Sequence, residues 1–543
     1  MEEKQQSPRT GRRTFADTYP QGLQLSQETV SLLERKNKKR EALTFDEVTL
    51  EDKPSMFHPN EVNVRSFITR KISLKSCGIL SAAMDTVTEQ EMALAMAKNG
   101  GIGVLHRNLD AQAQAQMVKW IRKKINSDGM IDKPITFRPN DYYSYLQKEV
   151  SMRRWTFTSF PVVDEAGKLL GLITRDEMDF VNTDDNPKLG DIMKKLDQII
   201  TAPEDTSSNE AYKIMKEKKV KKLPVVAPSG ELKGMYVWGD LKRDVNNKDK
   251  FSLDDEGHFL VAAAIGLGKD DIARAELLVA NGCRVLVLDS SHGACKPAKE
   301  QIRAIRAKLG DSVEIIAGNI ASYDSAMYLL EDEQGARPDA LKVGIGPGSI
   351  CTTRSVTGHG IPQVTAIFQV WRAVQDFGKK TGYYVPIIAD GGVRSSGDIV
   401  KCLASGASAV MLGSMLAGTE ESPGLIIMKN GKSYKTIRGM GSRAAMESRS
   451  GSRGRYYRDG ANQAEELTTG QAQKMVPEGV EGLVEYKGSV VRVLNVLVGG
   501  IQAGLAHTGA GDIATFQKQA ALWTQGFAGI AEGNPHDITD VRN

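Results

Sequence analysis

Short runs of Val, Ile, Leu and Ala, each closed by a glycine or a polar residue and followed by a helix-periodic stretch, recur along the chain from Cys77 onward. Eight are legible: Ile79–Met84, Gly101–Leu105, Val261–Gly266, Arg284–Ser290, Val313–Asn319, Ala340–Gly346, Val385–Gly392 and Ala409–Met415. Runs that are apolar at nearly every position, rather than at alternate ones, belong to strands buried on both faces, as in a parallel sheet. Eight of them with intervening helices predict an α/β fold of the (β/α)8 TIM-barrel type, whose chemistry collects at the C-terminal strand ends. Asp289, Asn319, Gly344, Asp390 and Gly413 fall at those ends, so their polarity reads as functional.

Between the second and third runs lie far more residues than one crossover helix needs, and that stretch repeats itself. Phe160-Pro-Val-Val-Asp-Glu-Ala-Gly-Lys-Leu-Leu-Gly171 answers Leu223-Pro-Val-Val-Ala-Pro-Ser-Gly-Glu-Leu-Lys-Gly234. Each copy predicts a strand, a glycine turn, a second strand (Leu172–Thr174, Met235–Val237) and a helix start, and two copies can bury each other's apolar faces. Residues 1–40 read as an N-terminal extension, its flexibility left open, with an amphipathic helix around Leu23 to Leu33. Its basic run, Arg35 to Arg40, reads as a solvated helix end in preference to a nuclear address or a patch for anionic surfaces. The Gly-, Ser- and Arg-rich segment from 441 to about 487 is too long for an ordinary connection and has the composition of a mobile flap.

At 543 residues the chain exceeds what one core usually supports. Lys plus Arg 71 against Asp plus Glu 67 leaves a net charge of +4, too balanced to make nucleic acid the main partner. Five cysteines without C-x-x-C spacing suit free thiols in a reducing compartment. No apolar run reads as a membrane span and the polar start has no signal-peptide core, so a cytoplasmic protein without a membrane partner is expected.

The densest chemistry is Lys342-Val343-Gly344-Ile345-Gly346-Pro347-Gly348-Ser349-Ile350-Cys351-Thr352-Thr353-Arg354. Glycines let this loop turn tightly and aim backbone groups at a ligand, and the cysteine at its end can attack an electrophilic carbon as a thiolate. The residues alone leave Cys351 equally readable as a small buried hydrophobe.

With Ser81-Ala82-Ala83-Met84-Asp85-Thr86-Val87-Thr88, Ala389-Asp390-Gly391-Gly392-Val393-Arg394, Met411-Leu412-Gly413-Ser414, Arg438-Gly439-Met440-Gly441-Ser442 and Asn534-Pro535-His536-Asp537-Ile538, that loop completes an ordered set of motifs. Over roughly residues 41 to 540 the chain resembles the inosine-5′-monophosphate (IMP) dehydrogenase / GMP reductase family, on its dehydrogenase branch. The resemblance implies catalytic barrel parts at 41–127 and 246–543, around a tandem cystathionine-β-synthase (CBS) module at 128–245 with copies at about 128–183 and 189–245. The ribose-binding pattern of that module is Thr or Ser followed three residues later by Asp; Thr174 with Glu177 and Val237 with Asp240 both depart from it, so an adenine or guanine nucleotide effector and a purely structural module both stay open.

The activity implied is NAD-dependent oxidation of IMP to xanthosine 5′-monophosphate, the committed step of guanine nucleotide synthesis. Cys351 would be the nucleophile, Arg455 and Tyr456 the water-activating dyad, and Thr353 with Glu478 a second proton path. IMP would be held by Ser349, Asp390, Gly391, Gly392, Gly413, Ser414, Gly439, Met440, Gly441 and Glu478, and NAD, without a Rossmann fingerprint, by Asp289, Ser290, Ser291, Asn319, Gly344, Ile345 and Gly346. Carbonyls of Gly346, Gly348 and Cys351, facing Glu532, Gly533 and Asn534 of a neighbouring subunit, would bind potassium in a homotetramer, with octamers through the CBS modules a further form. Ile437 stands where the family usually has Tyr. The rivals are a GMP reductase consuming NADPH and a catalytically silent nucleotide sensor; a water-activating dyad argues against the first and the intact catalytic set against the second.

Overall fold

The computed structural model describes residues 13–448, other than 125–129, 133, 154–157, 183–184, 240 and 243–247, together with residues 476–536. The chain divides into two compact units, residues 1–122 with 250–543, and residues 123–249.

The larger unit is built on a closed barrel of eight parallel strands: β1 (Ile79–Ser81), β2 (Ile102–Leu105), β3 (Ala262–Ile265), β4 (Val285–Asp289), β5 (Glu314–Ile320), β6 (Ala340–Val343), β7 (Ile387–Asp390) and β8 (Ala409–Leu412). Closure is made by β8 pairing with β1, Met411 opposite Leu80, and by β2 pairing with β3, Ala263 opposite Leu105. Inward side chains such as Leu80, Ile102, Val104, Ala262, Ala264, Val287, Ile316, Ile388 and Met411 fill the interior as one buried cluster. The barrel is therefore a packed core, with room for chemistry only above its C-terminal rim.

Several strands stop short of the apolar runs that predict them, because their last residues serve the rim. β6 ends at Val343, where Gly344 takes φ +146° and a Cβ would collide with the Asp390 carbonyl; only glycine fits there without strain. β8 ends at Leu412 because Gly413 opens a short helix, Ser414–Ala417. Above the rim stands a three-stranded sheet of β9 (Ile426–Lys429), β10 (Lys432–Arg438) and β11 (Glu481–Glu485). The pairing of β11 with β10, Ile437 opposite Gly482, makes 481–485 part of that sheet and trims the segment read as a flap. Ile437 is 2% exposed.

Residues 13–40 belong to the same unit. Phe15 packs on Tyr19 and Phe67, the Leu23 carbonyl accepts from Trp371 Nε1 and Gln375 Nε2 (2.7 and 3.0 Å), and Leu33 is buried. Helix Gln27–Lys38 starts at Ser26, whose Oγ accepts from the Thr29 amide, and ends with Arg35, Lys36 and Lys38 in its last turn. Cations at that end suit the helix dipole, as the reading of a solvated helix end requires.

Helix Val490–His507 is, by length and composition alone, apolar enough to cross a membrane, which corrects the expectation that no such run exists. Its Val490, Leu494, Leu497, Ile501 and Leu505 are buried, Gly504 lies against Val400, and Gln502 Nε2 donates to the Val62 carbonyl. One such helix, docked this way, is weak evidence for a membrane.

In the smaller unit the sequence repeat is a structural repeat. Strands Phe160–Val163 and Leu169–Ile173 form one hairpin, Lys222–Val226 and Leu232–Val237 the other, each bulged at its matching Val-Val step. The hairpin tips bond reciprocally: Leu169 N donates to Gly230 O and Leu232 N to Gly167 O, both at 3.0 Å. Each copy nevertheless has a core of its own, around Phe137, Phe160 and Ile173 in one and Met215, Leu223 and Tyr236 in the other. Thr174 and Glu177 cap helix Arg175–Asp179 through reciprocal hydrogen bonds; Asp240 lies outside the described residues.

Candidate functional site

The loop leaving β6 brings Cys351 to the barrel mouth. Cys77, Cys283, Cys295 and Cys402 are buried, whereas Cys351 is partly exposed. Burial pushes the Cys77 and Cys283 thiols up to about 12, which makes them inert hydrophobes. Cys351 Sγ lies 3.2 Å from Thr353 Oγ1, and Thr353 Oγ1 donates to Glu478 Oε2 at 2.7 Å. A thiol, a hydroxyl and a carboxylate thus form one chain of proton-exchanging groups, as nucleophilic chemistry with a proton outlet needs.

Backbone bonds hold the carboxylate there. Thr352 N donates to Glu478 O (2.9 Å), Val480 N to Ile350 O (2.9 Å), Glu478 N to Gly441 O (3.0 Å) and Gly439 N to Val480 O (3.0 Å). Three segments distant in the chain, 348–353, 439–442 and 478–480, are therefore woven into one wall. Arg354 ties down the loop from behind, donating through Nε to Ile345 O and through Nη2 to Ile361 O. At the far side Arg438 grips Asp85 through Nε and Nη2 (3.1 and 2.6 Å), which fixes the start of Gly439-Met440-Gly441 against the loop after β1.

The deepest charged group is Lys342, on β6, 1% exposed. Its Nζ donates to Asp390 Oδ2 at 2.6 Å and to Asn319 Oδ1, while Asn319 Nδ2 donates to Asp390 Oδ2 and to Gly344 O, both at 2.8 Å. Lys342, Asn319 and Asp390, from three adjacent strands, form a rigid polar floor. Sequence reasoning quoted Lys342 without a role; the available signal was a lysine inside an otherwise apolar strand.

One cavity joins these parts. Its walls include Asp289, Ser291, Asn319, Gly344, Ile345, Gly346, Gly348, Cys351, Thr353, Asp390, Gly391, Gly439, Met440, Gly441 and Glu478, all anticipated, and Ala82, Ala83, Met84 and Lys342, which were not. Ser290 is buried behind the wall, its Oγ donating to His292 O. Ser349 is exposed, and Gly392, Gly413 and Ser414 stand beside the cavity without lining it. Glu532, Gly533 and Asn534, at the exposed end of helix Phe527–Glu532, are likewise not brought to it. Arg455 and Tyr456 lie outside the described residues.

Among the described residues, Asp254, Glu256 and His258 approach one another as metal ligands could. Arg122 bonds both carboxylates and Arg284 pairs with them too, so the group is an ion-pair cluster.

Residues 42–536 match the family model described as the IMP dehydrogenase / GMP reductase domain. The chain is 41% identical to the inosine-5′-monophosphate dehydrogenase of Aquifex aeolicus over 515 residues, 94% of this chain and 98% of that enzyme. It is 40% identical to the Staphylococcus aureus enzyme of the same name over 501 residues, 92% and 96% of the two chains. Among solved structures, GMP reductase from Trypanosoma brucei is similar at 32% identity and a TM-score of 0.70, covering 92% of this chain and all of that one.

Proposed function

The chain belongs to the IMP dehydrogenase / GMP reductase family, and we infer that it is a dehydrogenase: it oxidises IMP to xanthosine 5′-monophosphate with NAD. The observation that carries this reading is the Cys351–Thr353–Glu478 chain at the barrel mouth, in a protein 41% identical to a named dehydrogenase over 94% of its length. The named reductase is less similar, at 32%.

The chemistry of the cavity's residues suits NAD. Asp289 and Asn319 are buried carboxylate and amide at adjacent strand ends, and both line the cavity. Asp289, Ser290, Ser291, Asn319 and residues 344–346 would hold the cofactor, which accepts the hydride from C2 of the purine. Asp390, fixed by Lys342 and Asn319, would accept bonds from the ribose hydroxyls of IMP, and Gly391, Gly392, Gly413, Ser414 and Ser349 would face its phosphate. Met440 and the backbone of Gly439 and Gly441 would border the base. Cys351 would add its sulfur to C2, and Thr353 with Glu478 would carry away the proton of the water that later replaces the sulfur. Arg455 and Tyr456 would activate that water.

Potassium fits carbonyl oxygens of Gly346, Gly348 and Cys351, a hard-ion donor set, completed by Glu532, Gly533 and Asn534 of a neighbouring subunit; a homotetramer is part of the same proposal. The repeated smaller unit is proposed as a tandem CBS module able to carry a purine nucleotide effector and to pair tetramers into octamers. A cytoplasmic location belongs to this reading.

Absorbance at 340 nm with IMP, NAD and potassium tests it. Wild type makes NADH continuously, Cys351→Ala makes none, and Arg455→Ala makes a single burst equal to the enzyme present. A wild type silent here that consumes NADPH with GMP would make the protein a reductase.

A further inference from the structure

Arg107 follows β2 at the barrel rim and is 7% exposed, yet its Nε and Nη2 find no hydrogen-bond partner among the described residues. A guanidinium removed from water with unmet donors is expensive, and it persists where something else pairs with it. The charged groups around it are otherwise engaged. Arg274, a second cation, donates to Gln114 Oε1 (2.8 Å) and Leu109 O (3.0 Å). Asp271 accepts from the Gly268 amide (3.2 Å) and lies 3.6 Å from Arg274 Nε. Asp110 accepts from the Ala113 amide (2.7 Å).

The position of the guanidinium suggests its partner. A Cβ built on Gly266 would come within 2.6 Å of Arg107 Nη1 and closer still to Asp271 Oδ2, so the guanidinium lies, with that carboxylate beside it, against the backbone that ends β3. Register sets Ile265 opposite Leu288, which brings Gly266 level with Asp289, one strand spacing of about 4.8 Å away. Asp289 lines the cavity, and its carboxylate suits the hydroxyls of the cofactor's nicotinamide ribose, the ribose nearest the hydride-accepting ring. The next group along the dinucleotide is its pyrophosphate. Helix Asp270–Ala280 also begins here, but Asp270 and Asp271 in its first turn offset the helix dipole, so the donors left for an anion are the unpartnered Nε and Nη2 of Arg107.

We propose that Arg107 binds the cofactor's pyrophosphate, its planar donors pairing with phosphate oxygens. This inference rests on NAD binding at Asp289 and adds to it an anion subsite between the ends of β2 and β3.

Titration calorimetry of the full-length protein with ADP-ribose, which carries the pyrophosphate and lacks nicotinamide, tests it. Arg107→Gln weakens ADP-ribose about tenfold to a hundredfold, the range of a bond to a charged group. Arg107→Lys, keeping the charge without the fork, recovers part, and IMP affinity stays within twofold in both. Ligand-free Arg107→Gln melts at or above wild type, because it removes an unpaired buried charge. ADP-ribose affinity within twofold of wild type in Arg107→Gln overturns the proposal. So does parallel loss of ADP-ribose and IMP binding, the mark of a structural residue; if Arg107→Gln does not fold, Arg107→Lys is read by the same criteria. A wild type that makes no NADH from IMP overturns the functional reading instead, while the titration still reports on the anion subsite.

Discussion

Replacing Lys342 by methionine keeps most of the side chain's volume and deletes the charge that anchors the cavity floor. The lysine side chain is 2% exposed and Asp390 17% exposed, at 2.6 Å. Removing one partner of a fully buried pair costs about 3–5 kcal/mol. Asp390 still accepts from Asn319 Nδ2 at 2.8 Å and faces the cavity, so the lower end, about 3 kcal/mol, is expected. Part of this appears in substrate binding: a carboxylate free to tilt forfeits a ribose bond to a charged acceptor, about 1.5–3 kcal/mol, or roughly a tenfold to hundredfold rise in the KM for IMP. Denaturant unfolding and initial rates with IMP varied read the two effects separately, and iodoacetamide labelling of Cys351 at an unchanged rate shows that the thiol loop is intact. Adding Asp390→Asn removes the anion left behind, so the double variant is less destabilised than the sum of the singles by at least about 1 kcal/mol. Additive stabilities together with an unchanged KM for IMP would refute the coupling between Lys342 and Asp390.

Leu33→Ala, at a position 2% exposed, destabilises the protein by about 2–5 kcal/mol in urea; a loss below about 0.5 kcal/mol would mean residues 13–40 are not part of the cooperative unit. Asp254 is subject to burial, which raises its pKa, but bonds from the His258 amide, Arg122 and the Glu256 amide outweigh it, and the net value lies below the ordinary 3.8. A carboxyl depressed on folding contributes stability above its unfolded pKa and loses it as pH falls through the folded one. Asp254→Asn should therefore melt below wild type at pH 7, with the gap closing as pH falls below about 4; an equal gap at pH 7 and pH 3 would contradict this.

The barrel could be read along the chain because burial on both faces leaves a local signature, near-continuous apolar runs such as Val285–Leu288 and Ile315–Ala317, and because glycine and aspartate at run ends mark the reactive rim. The hairpin repeat was legible for the same reason: each copy is a local unit with its own strands and core. In the N-terminal segment the amphipathic helix was legible but its docking was not, since a polar composition with scattered Phe15, Leu23 and Leu33 looks alike whether those residues meet solvent or the barrel unit beside Trp371.

The cavity's polar logic was less legible still. Thr353 and Glu478 are 125 residues apart and meet through backbone bonds to the 350–352 loop. Lys342, Asn319 and Asp390 converge because β5, β6 and β7 are neighbours in register, and Arg107 is orphaned because Asp110, Asp271 and Gln114 are engaged elsewhere. Periodicity and residue type are properties of a few consecutive positions, so they survive in the linear chain. Which donor meets which acceptor depends on how distant strands close into a ring, and that information exists only once the ring has formed.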